Sequence, residues 1–113
     1  MFGRFAMDKY NHDLEGILDD MLYNYKKAES SRLAGIVSHK TVSLLKVKNR
    51  GLKEAGFYVL RNTLIPAILV EVGYLTNPKE ERMLSQGEYR QEVAEGLAKG
   101  ILEYARETYA QAE

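Results

Sequence analysis

The feature that most restricts the fold of this sequence is the run Ile65-Pro-Ala-Ile-Leu-Val-Glu-Val72, almost wholly apolar, opened by a proline and followed by Gly73. Such a run is too short for a capped helix, and it lacks the alternation of a strand with one wet face. It therefore reads as a core strand covered on both faces, the pattern of a parallel sheet flanked by helices. Phe57-Tyr-Val-Leu60 reads as a shorter strand, with Arg61-Asn-Thr63 as the polar connection after it.

Helical periodicity surrounds these runs. Leu14, Ile17, Leu18, Met21, Leu22 and Tyr25 recur at i, i+3, i+4 and i+7, with Asp13 ahead of them and Asp19 and Asp20 on the outer face. A second helix is expected from Glu29 to Lys40, with Leu33, Ile36 and Val37 buried and Ser30 or Ser31 near its start, either separate from the first or continuous with it. Asn77, Pro78 and Glu80 have the spacing of an N-cap, a first-turn proline and a capping-box acid. Gly87 is expected to break that helix, and a longer one from Glu88 to Tyr109 should bury Val93, Leu97, Ile101 and Tyr104. Together these elements predict an α/β fold, a partial parallel or mixed sheet flanked by helices. Two strands cannot satisfy the backbone of a buried sheet, so a missing portion is expected.

A length of 113 residues, 45% of them hydrophobic, suits one domain or part of one. Sixteen basic residues balance sixteen acidic ones, so no overall field favours nucleic acid or an anionic membrane. Cysteine is absent, which removes thiol catalysis and disulfides and leaves the compartment open. Charges at Arg4, Asp8 and Lys9 interrupt any apolar run suited to an export signal, and no run reaches the ~20 residues of a membrane span. The chain reads as soluble.

Glu71 is the leading candidate for chemistry. A carboxylate at the C-terminal end of a buried strand stands where open α/β sheets place ligands, and desolvation there would tune it as a general base. Spacing alone favours the plainer reading, a strand-end acid meeting solvent. His12 and His39 lie 27 positions apart without a near neighbour of ligand type at i+3 or i+4, and they read as exposed histidines rather than metal ligands. Lys46, Lys48, Arg50 and Lys53 read as a solvated basic stretch rather than an anion site. No Ser/His/Asp set, phosphate-cradling loop or dinucleotide fingerprint is present.

From Ser30 onward several motifs fall in order: Ser30-Ser-Arg-Leu-Ala34, Asn49-Arg-Gly-Leu-Lys-Glu-Ala-Gly-Phe57 with Val59-Leu-Arg61, Ile65 to Gly73, Tyr74-Leu-Thr-Asn-Pro-Lys-Glu-Glu-Arg82, and a closing helix from Tyr89 to Tyr104. Over these 75 or so residues the sequence resembles the zinc-dependent N-acetylmuramoyl-L-alanine amidases of the Amidase_3 type, specifically the C-terminal half of their amidase/phosphorylase-like α/β catalytic domain. On this resemblance residues 29–113 are the family core, and residues 1–28 are a variable segment whose Leu14 to Tyr25 stripe forms either an ordinary core helix or a lid over the site.

The resemblance reverses the reading of Glu71, which falls on the acid/base of the Pro-Ala-x-Leu-Val-Glu strand. In such enzymes zinc lowers the pKa of a bound water, the glutamate takes its proton, and the protonated acid then serves the leaving amine. The family's zinc ligands, two histidines and a glutamate, belong to N-terminal motifs that this sequence lacks. The resemblance thus implies zinc in the complete domain, no metal bound by this chain alone, and no turnover by the isolated chain. It also implies peptidoglycan glycopeptide as substrate, a missing N-terminal half as partner, and a place in the bacterial cell envelope. The alternative is a non-catalytic remnant that binds peptidoglycan or a partner protein.

Overall fold

The computed structural model describes residues 2–45 and 65–110, with side chains from His12 onward. Three helices account for most of them: α1 (Phe2–Leu45), α2 (Pro78–Leu84) and α3 (Gly87–Tyr109). The stripes at 14–25 and 29–40 belong to one helix. The residues joining them, Lys26-Lys-Ala28, contain no glycine or proline to break it, and Ser30 and Ser31 lie mid-helix instead of capping a new one. At ~1.5 Å per residue, these 44 residues account for most of the molecule's 69 Å length.

The expected α/β sheet is not found. Among the described residues there is no strand, and 65–74 are non-helical chain without ladder partners. An apolar run becomes a strand only when neighbouring chains take up its N–H and C=O groups. Here Ala67 instead donates its N–H to the Ser30 hydroxyl on α1, at 2.9 Å. Pro66 to Ile68 are half-buried, whereas Leu69 to Val72 are exposed. Phe57 to Leu60, expected as the neighbouring strand, lie outside the described residues, as do Lys46, Lys48, Arg50 and Lys53.

α3 runs antiparallel to the second half of α1. Gly100 lies against Val37 and Gly96 against Thr41. Further toward the α3 C-terminus, Lys40 pairs with Glu103 at 3.3 Å and Arg32 with Glu107 at 3.3 Å. Among the described residues the buried apolar side chains are Val37, Val93 and Tyr104. Val93 and Tyr104 fulfil the predicted α3 stripe and Leu97 is half-buried, but Ile101 is 52% exposed. The contact is made by Gly96 and Gly100, whose missing side chains let the two backbones approach. A Cβ on Gly100 would stand 2.7 Å from the Val37 Cα.

α3 does not reach the first half of α1. Leu14, Ile17, Leu18, Met21, Leu22 and Tyr25 are therefore all exposed, although their spacing is that of a buried face. Among the described residues no helix is long and apolar enough to cross a membrane.

Candidate active site

Glu71 lies on the non-helical segment 65–77 that leads into α2, four residues after the Ala67 anchor to Ser30, with its side chain exposed. Beyond it the chain turns at Gly73, where φ is +155°. That conformation favours glycine, and a Cβ there would also press on Leu84 Cδ1 at 3.2 Å. The turn closes with Asn77 N–H donating to the Tyr74 carbonyl at 3.1 Å.

The start of α2 fixes this turn. Asn77 Oδ1 accepts from the N–H groups of Lys79 and Glu80, at 3.0 and 3.2 Å, as expected of an N-cap. Glu80 departs from the expected capping box. Its Oε2 accepts from the Tyr74 N–H at 2.9 Å, because the Asn77 N–H is already engaged in the turn. Both backbone polar groups of Tyr74 are thus held, and its hydroxyl donates to Glu71 Oε2 at 3.3 Å. α2 ends at Leu84, before Gly87, which opens α3 instead of breaking α2. Arg90 on α3 ties the two helices together by donating to the Leu84 carbonyl at 2.8 Å.

A second polar cluster joins α1 to α3. Tyr104 donates its hydroxyl to Glu29 Oε2 at 2.7 Å, and the Arg32 guanidinium bonds Glu29 at 3.1 Å, bonds the Thr108 hydroxyl and lies over the Tyr104 ring at 4.7 Å. The Tyr104 hydroxyl and then Arg32 hold the Glu29 carboxyl below the usual carboxylate range. Burial first, and then its bond to Glu29, pushes the Tyr104 hydroxyl up. These groups are mutually engaged and act as a clasp between helices. The Ser30-Ser-Arg-Leu-Ala34 motif carried two of the anchors, Ser30 and Arg32, which the sequence presented only as helix.

His12 and His39 are both exposed on α1. Twenty-seven residues of one helix separate them, a rise of about 40 Å, so they cannot share an ion. Among the described residues no three His, Cys, Asp or Glu side chains are placed to hold a metal. The donors among the described residues therefore do not fit a zinc centre. What the site offers chemically is one solvent-facing carboxylate with one oxygen bonded by a phenol.

Comparison with known proteins accords with the motifs. The Amidase_3 family model, described as N-acetylmuramoyl-L-alanine amidase, matches residues 7–103. N-acetylmuramoyl-L-alanine amidase AmiA of Escherichia coli is 33% identical over 102 residues, 90% of this chain and 35% of that protein. N-acetylmuramoyl-L-alanine amidase LytC of Bacillus subtilis is 34% identical over 82 residues, 73% of this chain and 16% of its own length. The uncharacterized protein YqiI of B. subtilis is 36% identical over 81 residues, 72% of this chain and 39% of its own. This chain thus spans about a third of the length of AmiA. No solved structure matches it significantly. With the family model covering most of the sequence and its motifs falling in order, the chain belongs to the N-acetylmuramoyl-L-alanine amidase family.

Proposed function

We propose that this chain carries the acid/base carboxylate, Glu71, of a peptidoglycan amidase, and that a complete domain containing it hydrolyses the amide between N-acetylmuramic acid and L-alanine. The observation that carries the reading is the family match through 7–103, within which Glu71 ends the Pro-Ala-Ile-Leu-Val-Glu motif. Amide hydrolysis needs a proton taken from the attacking water and one delivered to the departing nitrogen. A single exposed carboxylate can do both in turn, as base and then as acid.

The zinc ligands belong to the missing N-terminal half, and the isolated chain is inactive. Peptidoglycan glycopeptide is the substrate, and the bacterial cell envelope is the place of action. Residues 29–113 form the core of the portion present. The family match begins at residue 7 and α1 runs unbroken from Phe2 to Leu45, which supports counting residues 7–28 with the family domain.

The test is muramoyl-alanine amide cleavage by the chain alone, and by the chain joined to or mixed with the N-terminal portion of an amidase domain. Turnover should appear only with the second portion present and should fall about 10²-fold or more in Glu71→Gln. Full turnover by the Gln variant would sink the assignment of Glu71.

A further inference from the structure

Resting on that reading of Glu71, we infer that Tyr74 is its positioning residue, orienting the carboxylate for proton transfer through the phenolic hydroxyl. Glu71 is exposed, and three freely turning torsions would let its carboxyl group sample many directions. Tyr74 is better fixed. Its N–H is held by Glu80 and its carbonyl by Asn77, so its Cα is set by the same network that caps α2. Gly73 supplies the bend between the two residues.

From that anchored position the Tyr74 hydroxyl reaches Glu71 Oε2 at 3.3 Å. Among the described residues Glu71 Oε1 has no hydrogen bond, which leaves one oxygen pinned and the other facing solvent. A base that must meet a water needs that arrangement. The contact is long for an O–H···O bond, as catalytic hydrogen bonds in unliganded proteins often are before they tighten around substrate. Tyr74 is 45% exposed, so core packing alone does not account for where it sits. Removing the hydroxyl while keeping the ring isolates the role.

The experiment has two readouts on Tyr74→Phe. In the 113-residue chain labelled with ¹³C at glutamate carboxyls, the Glu71 resonance, assigned by its loss in Glu71→Gln, should move in Tyr74→Phe while that of Glu95 stays in place. An unmoved Glu71 resonance overturns the inference without any activity assay. In the assembled amidase, Tyr74→Phe should lower kcat about 3- to 10-fold with KM unchanged, the scale of one ordinary, solvent-exposed hydrogen bond. In a Glu71→Gln background the same substitution should change kcat by less than about 2-fold, because a residue acting through another has nothing left to act on. Equal effects in both backgrounds would show a structural role and overturn the inference. Failure of the Glu71 reading is separate, since it shows as undiminished turnover in Glu71→Gln alone.

Discussion

Substituting Gly100 by alanine tests the α1–α3 crossing directly. The new Cβ would stand 2.7 Å from the Val37 Cα and 3.2 Å from Val37 Cγ2. The nearer atom is backbone, so no rotamer change relieves the clash, and the helices must part by about 1 Å to restore ordinary contact. Overpacking of this kind costs about 1–3 kcal/mol, with a backbone clash at the upper end. Alanine regains about 1 kcal/mol of helix propensity over glycine. The net loss should be about 1–2 kcal/mol, which for a chain of this size lowers Tm by roughly 5–10 °C. Gly16→Ala is the matched control. Nothing lies within 4 Å of a Cβ there, so only the propensity gain remains and Tm should rise by a few degrees, roughly. Thermal unfolding followed by far-ultraviolet circular dichroism reads both variants. A Gly100→Ala protein melting at or above wild type would refute the close crossing.

Asn77→Ala removes the side-chain acceptor for Lys79 and Glu80 and should weaken α2 by about 1 kcal/mol; amide exchange at those two N–H groups should quicken about fivefold, and unchanged exchange would show that the cap does not hold the turn. The Glu29 carboxyl is held low by Tyr104 and Arg32, so the unfolded chain binds its proton more tightly. Its stabilising contribution is complete above the unfolded carboxylate pKa and is lost as pH falls through the lower folded value. Tm should therefore drop on acidification through that window, and less so in Glu29→Gln; parallel curves would contradict this. Tyr104 has the opposite sign. Its hydroxyl is pushed up, so its contribution is present below the unfolded tyrosine pKa and lost as pH rises through the folded value. Tyr104→Phe should remove that alkaline fall in Tm.

Local signals in the sequence were reliable where local physics decides the outcome. Asn77 and Pro78 start α2 as their types dictate, and Val93 and Tyr104 face inward at helical spacing. What failed needed information about partners. Ile65 to Val72 has the composition of a buried strand, but strands exist only in pairs, and no described segment pairs with it. The Leu14 to Tyr25 stripe has the period of a buried face, yet α3 covers only the other half of α1. The α1–α3 contact was legible in principle, because Gly96-Leu-Ala-Lys-Gly100 places two glycines one turn apart on one face. Large apolar residues drew attention to Ile101 instead, which is exposed. Glu71 was visible only through its motif. It is exposed, but on a segment that forms no strand, and nothing in its spacing announces the Tyr74 contact across the Gly73 turn.

The most direct measurement is turnover of muramoyl-alanine amide by the assembled domain carrying Glu71→Gln, with thermal unfolding recorded on the same preparation. Gln keeps the volume of the side chain and can still accept from Tyr74, so Tm should stay within about 2 °C of wild type for an exposed position. Turnover should fall about 10²-fold or more, as expected on removing a positioned base. Near-normal turnover with a lowered Tm would be the opposite pattern, and would make Glu71 a structural residue of the 65–77 segment instead of the acid/base of the reaction.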